Sequence, residues 1–269
     1  MNTCRACEFE LVPGKNQCPS CGTWNLVKPG SQELELSTLA DEDEEEVVKI
    51  CQDTWWGKLL SGGLPESASI LMAGDPGCGK STALLQMALA CIKATKKTVI
   101  YLALEERGAQ IKPRAKRVGF KYRHLERVIL LHQESIDEEL ECLNQFTSDE
   151  VCLLATDSLS ALASRNEERA ANYCQLINEF SKDTGIPSIL IDHVTKSNDF
   201  AGLQALQHFV DITVYIRTHQ GLPRRTWTTE KNRFGVGQVV GEICMTEAGI
   251  LVPMVLDGKT GDYIIASKT

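Results

Sequence analysis

A glycine-rich segment in the first third of the chain has the residue types and spacing of a phosphate-binding loop. Gly74-Asp75-Pro76-Gly77-Cys78-Gly79-Lys80-Ser81 fits G-x4-G-K-[ST] and lies between an apolar run and a helical pattern. Backbone N–H groups of such a loop wrap phosphates, and the helix that follows adds partial positive charge. A simple glycine turn would need neither the lysine, which reaches the β- and γ-phosphates, nor the serine, which ligates Mg²⁺. The segment therefore predicts an ATP and Mg²⁺ site formed by Gly74, Asp75, Gly77, Cys78, Gly79, Lys80, Ser81 and Thr82.

Three carboxylates follow apolar runs that are typical of buried strands. Asp157 ends the run that starts at Val151, where nucleotide hydrolases place a second magnesium-site carboxylate, and Glu105 and Glu106 end the run from Val99. Because ligands of wound sheets bind at the carboxyl ends of strands, we expect all three beside the phosphate loop. Either glutamate could orient and deprotonate water, and the other would then be an ordinary helix-start carboxylate. The set favours hydrolysis over binding alone.

Four of the eleven cysteines have the spacing of a zinc module. Cys4, Cys7, Cys18 and Cys21 form C-x2-C-x10-C-x2-C, and two short C-x2-C turns bring four thiolates to one tetrahedral ion. The alternative, two disulfides of a secreted domain, has no export signal to support it. Four protein ligands leave no open position on the metal, so we expect structural Zn²⁺. The other seven cysteines lie among apolar residues and are typical of a reducing cytoplasm.

The composition limits the class of protein. The chain has 269 residues, of which 43% are hydrophobic and 24% charged, and its formal net charge is −8. These values predict a soluble globular protein with one sizeable domain and a smaller module, and the cysteines described above indicate the cytoplasm. No run approaches the ~20 apolar residues that a membrane span needs. The acidity excludes a global attraction to nucleic acid, so such a contact would need a local basic surface.

Three regions are predicted along the chain: a Cys4 zinc-binding module at 1–27, an acidic linker at 28–50 and an ATPase domain at 51–269. The linker contains six successive carboxylates, Asp41 to Glu46, which repel one another and cannot bury a face. Mimicry of nucleic acid, or a contact with a basic partner, is the lesser alternative for this run.

Beyond the linker, short apolar runs alternate with helical patterns. Such runs are typical of strands buried on both faces of a parallel sheet, and the alternation predicts a wound, mostly parallel α/β fold. The last three runs indicate antiparallel strands that extend the sheet. The predicted helices are Ser81–Ala94 and Asn166–Thr184, and the predicted strands are Ser69–Ala73, Thr98–Leu102, Val128–Leu131, Val151–Leu154, Ser188–Ile191, Thr213–Ile216, Thr226–Thr229 and Val239–Ile243.

Four segments together resemble the RadA (Sms) family of bacterial recombination ATPases. They are the cysteine module, the phosphate loop, His193-Val194-Thr195-Lys196 and Lys231-Asn232-Arg233-Phe234-Gly235, in the family's order over nearly the whole chain. The resemblance implies a RecA-like P-loop ATPase core behind a zinc knuckle. It also implies a hexameric ring that hydrolyses ATP, binds single-stranded DNA and drives branch migration. The family's further domain, similar to Lon protease, has no counterpart before Thr269, so we expect a compact phage or mobile-element version or a truncated chain.

The resemblance also assigns roles to three residues. His193 would sense the γ-phosphate, and Lys231 and Arg233 would reach across a subunit boundary into the neighbour's ATP. Alternating residues share one face of a strand, so both cations are expected to point the same way. A structural histidine and a solvent-facing pair of cations are the alternatives.

Two regions are candidates for contact with DNA. The resemblance favours the loops after Asp157 and His193, which would line the channel of a ring and contain Arg165, Lys196 and Asn198. A second candidate is the stretch from Arg107 to Arg127, which has eight lysines and arginines against one acid, Glu126. It could neutralise phosphates, and a solvated helix face explains it equally well. The residues of this stretch that are predicted to contact DNA are Lys112, Arg114, Lys116 and Arg117.

Together these features predict a DNA-dependent ATPase with helicase or translocase activity in DNA recombination and repair. It would act as a homo-oligomer on single-stranded DNA, with a recombinase or replication protein as a further partner. One rival is a replicative helicase of the DnaB type, encoded by a phage. Another is a non-motor switch, in which ATP binding assembles a platform for partners.

Overall fold

The computed structural model divides the chain into two compact units, Met1–Glu46 and Val47–Thr269. The residues that the structure describes are 3–4, 6–11, 17–22, 47–131, 143, 145–163, 166–193, 206–219, 221–256 and 263–266.

The larger unit is built on a sheet with a parallel centre and an antiparallel extension. Within the described residues the strand order is β12-β11-β10-β9-β8-β3-β7-β6-β4-β5. The pairs from β8 to β5 are parallel, and those from β8 to β12 are antiparallel. The strands are β1 (Lys49–Ile50), β2 (Leu64–Pro65), β3 (Ser69–Gly74), β4 (Thr98–Ala103), β5 (Val128–Leu131), β6 (Val151–Asp157), β7 (Ser188–His193), β8 (Ile212–Thr218), β9 (Arg224–Asn232), β10 (Val239–Met245), β11 (Leu251–Leu256) and β12 (Tyr263–Ile265).

Helices cover both faces of this sheet, which is why its central strands are apolar throughout. Alternate side chains of β3 point to opposite faces: Ile70 and Met72 join the core under α2, whereas Leu71 joins the core under α6. The predicted wound α/β fold is therefore confirmed. The helices are α1 (Trp55–Leu59), α2 (Lys80–Thr95), α3 (Gly108–Arg117), α4 (Tyr122–Leu125), α5 (Leu159–Leu162) and α6 (Glu167–Thr184).

The long helix α6 begins and ends at residues that favour helix termini, and α2 is preceded by a glycine. The side chain of Asn166 accepts a hydrogen bond from the backbone N–H of Arg169 at the start of α6, and Gly185 ends that helix with φ of 72°. Gly79 precedes α2 with φ of 104°, a left-handed conformation, so the helix begins at Lys80, within the last residues of the phosphate-loop segment.

The parallel strands all run in the same direction, so their carboxyl ends lie together along one edge of the sheet and their amino ends along the opposite edge. At the carboxyl edge, Gly74 pairs with His193 and Ala103 pairs with Asp157. At the amino edge, the backbone N–H of Asp211, which precedes β8, donates to the carbonyl of Ser69. The candidate phosphate loop and carboxylates lie at the carboxyl edge.

Candidate functional site

The phosphate loop joins β3 to α2 and is held in a tight conformation. Lys80 is buried, and its Nζ donates to the carbonyl oxygens of Gly74 at 2.8 Å and Asp75 at 3.0 Å. A Cβ on Gly79 would lie 2.7 Å from the flexible Cε end of Met245 in β10, so the left-handed φ of 104° is the stronger reason for glycine at this position. Ser81 and the buried Thr82 follow in the first turn of α2.

The outer side of the loop is braced by a cross-strand pair that sequence reasoning missed. Asp75 Oδ2 accepts hydrogen bonds from the backbone N–H of Thr218 at 3.0 Å and from its hydroxyl at 2.9 Å. Arg225 Nε donates to the Cys78 carbonyl at 3.0 Å. Thr218 and Arg225 face each other in the β8–β9 register. The Asp75 side chain and the Cys78 carbonyl of the loop are thus held from outside by groups that do not use the loop N–H groups, which are the donors that such loops offer to phosphate oxygens.

Asp157 ends β6 as a buried carboxylate with hydroxyl partners. Tyr101 donates to Asp157 Oδ2 at 2.8 Å, and the Ser81 hydroxyl also bonds the carboxylate. Burial raises the pKa of Asp157, whereas these two hydrogen bonds lower it. Burial and the negative charge of Asp157 raise the pKa of Tyr101 well above its usual range, so its hydroxyl remains a donor. The adjacent hydroxyl and carboxylate are hard oxygen ligands, a donor set that fits Mg²⁺.

The two glutamates after β4 have different partners. Both oxygens of Glu106 accept from the guanidinium of Arg114, each at 2.7 Å. Glu105 accepts a hydrogen bond from the hydroxyl of Ser158, next to Asp157. The bidentate pair engages both oxygens of Glu106, whereas Glu105 lies beside the carboxylate at the tip of β6.

His193 is the last residue of β7, and its backbone lies beside Gly74 at the start of the phosphate loop. The strand register therefore places the backbone of His193 at the carboxyl edge of the sheet, next to the phosphate loop. The predicted DNA contacts Arg165, Lys196 and Asn198 lie outside the described residues.

Lys231 and Arg233 lie at the opposite edge of the sheet from the phosphate loop. Lys231 Nζ donates to the carbonyls of Gln207 and Val210, each at 2.6 Å, and burial lowers its pKa. Arg233 follows β9, and its Nη1 lies 2.9 Å from Asp211 Oδ1. The five residue steps of β3 that separate the two edges amount to about 17 Å. Neither cation can reach the phosphate loop of its own chain.

Asp211 anchors Arg233 through a buried network. Its side chain is 2% exposed, and its Oδ2 accepts from the N–H of Ser69 at 3.1 Å, the Ser69 hydroxyl at 3.0 Å and Asn178 Nδ2 at 3.2 Å. The Arg233 side chain is 48% exposed. Because these donors hold the buried carboxylate in place, Asp211 fixes the position of the Arg233 guanidinium. Part of the guanidinium remains accessible to solvent.

The basic stretch forms an exposed surface on α3 and α4, with one exception. Lys112, Lys116 and Arg117 are exposed, whereas Arg114 is engaged by Glu106 and is a weaker candidate for DNA. Beyond α3, Tyr122 is 75% exposed. Burial, followed by nearby cations, lowers the pKa of His124; these cations are Arg123, Lys93, Lys121 and Lys96. The cations of α2 and α4 therefore converge around one histidine, with an exposed aromatic ring beside them.

The four N-terminal cysteines converge in the smaller unit. Their sulfur atoms all lie within 4.8 Å of one another, and the Cys4–Cys21 and Cys7–Cys18 separations are both 3.6 Å. Four sulfurs at ~2.3 Å from one tetrahedral ion would be ~3.8 Å apart. Each C-x2-C pair lies in a turn, closed by hydrogen bonds from Glu8 N to Cys4 O and from Gly22 N to Cys18 O. The cluster can hold a metal ion and fits zinc.

Comparison with known proteins places this geometry in a family. An AAA domain family model matches residues 39–199. The chain is 31% identical over 265 residues to the DNA repair protein RadA of Aquifex aeolicus and 30% identical over 273 residues to that of Bacillus subtilis. Each alignment covers 92% of this chain, which spans only 58% of the length of either relative. The predicted resemblance to RadA is confirmed.

A solved structure supports the fold alone. A KaiC-like protein from Pyrococcus horikoshii OT3 superposes with a TM-score of 0.65 at 16% identity, over 77% of this chain and 99% of that one. The fold, the phosphate loop, and the family model that matches more than half of the chain lead to one conclusion. This chain belongs to the AAA domain family.

Proposed function

We propose that this chain is an ATPase of DNA recombination and repair that acts on single-stranded DNA as an oligomer. One observation carries the proposal: the phosphate loop, held by hydrogen bonds from Thr218 and Arg225, lies at the same edge of the sheet as Glu105 and Asp157. The similarity to RadA proteins supports the DNA repair role. No helix among the described residues is long and apolar enough to span a bilayer.

ATP hydrolysis assigns a role to each residue at this edge. Lys80 and the loop N–H groups hold the phosphates, and the Ser81 hydroxyl and the Asp157 carboxylate would hold Mg²⁺, which neutralises charge on the transferred phosphoryl group. Glu105 orients a water molecule and takes its proton as the water oxygen attacks the γ-phosphorus and the bond to the bridging oxygen breaks. His193, at the tip of β7, would sense whether the γ-phosphate is present.

Lys231 and Arg233 are proposed to complete the site of a neighbouring subunit. Their separation of about 17 Å from their own phosphate loop excludes a direct role in their own site. The exposed guanidinium, fixed by Asp211, suits an arginine finger that acts in trans. A ring, proposed to be hexameric, would place such an edge of each subunit against the nucleotide of the next.

Two measurements test this function. The first is the steady-state ATPase rate with and without single-stranded DNA, and the second is the mass of the protein in complex with an ATP analogue, which reports its oligomeric state. We expect DNA to stimulate turnover and the analogue to stabilise an oligomer. An ATPase rate that is the same with and without DNA would favour the non-motor switch. Processive unwinding of a long fork without a recombinase would favour the replicative helicase of the DnaB type. A monomer at all nucleotide concentrations would contradict the trans site.

DNA binding is expected to depend on the exposed cations of α3. Lys112→Glu together with Lys116→Glu should weaken binding of an oligo-dT strand and reduce the slope of its salt dependence by about 0.7 for each phosphate that is no longer neutralised. Lys58→Glu with Lys182→Glu, at exposed positions on α1 and α6, is a control of equal charge change. Equal salt slopes for the two double variants would show that α3 does not contact DNA.

The cysteine cluster is expected to bind one zinc ion per chain. Cys18→Ser should release the ion, while the larger unit stays folded and binds nucleotide, because a structural zinc stabilises its own small module. Elemental analysis and nucleotide titration measure both effects. Cys51→Ser, outside the cluster, should keep the zinc. Anaerobically purified protein without zinc would contradict the assignment.

A further inference from the structure

Tyr101 is a buried residue whose hydroxyl reaches the nucleotide site from inside the core. It lies in the middle of β4, its side chain is fully buried in the core under α2, and its hydroxyl is 2.8 Å from Asp157 Oδ2. In the sequence it is one member of an apolar run, so the pattern indicates only a core residue.

The register of β4 and β6 explains how Tyr101 reaches this carboxylate. Tyr101 is paired with Ala155, two residues before Asp157, so its long side chain extends along the sheet toward the carboxyl edge. Beyond the strand, the N–H groups of Leu104 and Glu105 both donate to the Asp157 carbonyl, at 3.0 and 3.3 Å. The segment that holds the backbone of Asp157 therefore also supplies a donor to its side chain.

We propose that Tyr101 is a positioning residue for magnesium-dependent nucleotide binding, because its hydroxyl fixes the Asp157 carboxylate that faces Ser81. A buried carboxylate that loses a donor is left with an unsatisfied oxygen and adopts other orientations. Removal of a residue that hydrogen-bonds to a metal ligand typically lowers the affinity for the metal by about 10- to 100-fold. This inference rests on the proposed ATPase function.

Tyr101→Phe tests the inference, because it removes one oxygen atom and keeps the ring that packs in the core. The measured quantity is the ratio of two dissociation constants of a fluorescent ADP, one with Mg²⁺ and one with EDTA. We expect the gain in affinity from Mg²⁺ to fall by about 10-fold or more and the affinity in EDTA to stay unchanged. Lys80→Ala should instead weaken binding under both conditions.

Tyr215→Phe is the matched control. Tyr215 is also a buried strand tyrosine, and its hydroxyl accepts from Gln207 Nε2 at 2.8 Å rather than from a residue of the site. Its substitution should leave the magnesium gain unchanged. A double variant completes the test. In an Asp157→Asn background, Tyr101→Phe should not further reduce the gain in affinity from Mg²⁺, because the carboxylate that Tyr101 positions is absent.

The outcomes separate this inference from the proposed function. Wild-type protein that gains no affinity from Mg²⁺ would contradict the ATPase proposal itself. A wild-type gain that Tyr101→Phe retains would overturn the role of Tyr101. An equal loss with and without Mg²⁺, or the same loss in Tyr215→Phe, would show a general effect on the fold and would overturn it as well.

Discussion

Arg233→Ala is expected to lower ATP turnover by about 10³-fold or more while nucleotide binding stays near the wild-type level. Arginine fingers that act in trans contribute roughly 10³–10⁵ in rate in well-studied P-loop enzymes. Arg233 is half-exposed and lies at the sheet edge away from its own phosphate loop, so its loss should not disturb the binding of ATP to its own subunit. Single-turnover hydrolysis and nucleotide titration of the same preparation measure the two effects.

Mixing two inactive variants tests whether Arg233 acts across a subunit boundary. Glu105→Gln subunits retain Arg233, and Arg233→Ala subunits retain Glu105, so mixed oligomers contain some interfaces with one complete site. Part of the activity should return when the two are combined before ATP is added. High salt should reduce this recovery if charged contacts hold the oligomer. If mixed oligomers form and no ratio restores activity, Arg233 acts within its own subunit.

Glu105→Gln is expected to slow hydrolysis by about 10²-fold or more with little change in nucleotide binding, the usual scale for a lost general base. Glu106→Gln is the matched comparison. Its wild-type carboxylate is held by two hydrogen bonds from Arg114, so the substitution should remove that ion pair, leave one oxygen as an acceptor and reduce turnover only several-fold. An inactive Glu106→Gln beside an active Glu105→Gln would reverse the two assignments.

The positions of the candidate site residues in the fold could be predicted from sequence because each lies at or just after the end of an apolar run. Gly74 and Asp157 end apolar runs, and parallel strands bring such ends to one edge. The supporting contacts could not be predicted in this way. Tyr101 reaches Asp157, and Arg225 reaches Cys78, through the pairing of neighbouring strands, which a pattern of residue types along one strand does not contain.

Two strands of the antiparallel extension also could not be predicted from the sequence pattern. The prediction stopped at the strand that begins at Val239, whereas β11 and β12 continue the sheet. Strand β12 is exposed along its whole length, and β11 contains Pro253, paired with Ile243 of β10. A short exposed strand has no buried face to impose alternation, and proline is atypical of strands, so neither element has a clear period of two.

Strand β9 has a mechanical consequence for the proposed oligomer. Near its first residue, Arg225 donates to the carbonyl of Cys78 in the phosphate loop, and at its far end lie Lys231 and Arg233, which are proposed to act on the next subunit. The strand is paired on both sides, so it would act as a stiff lever of about 25 Å rather than as a hinge. We expect nucleotide in one subunit to set the timing of hydrolysis in the next through this lever. Cooperative turnover in Arg225→Ala as strong as in the wild type would refute that coupling.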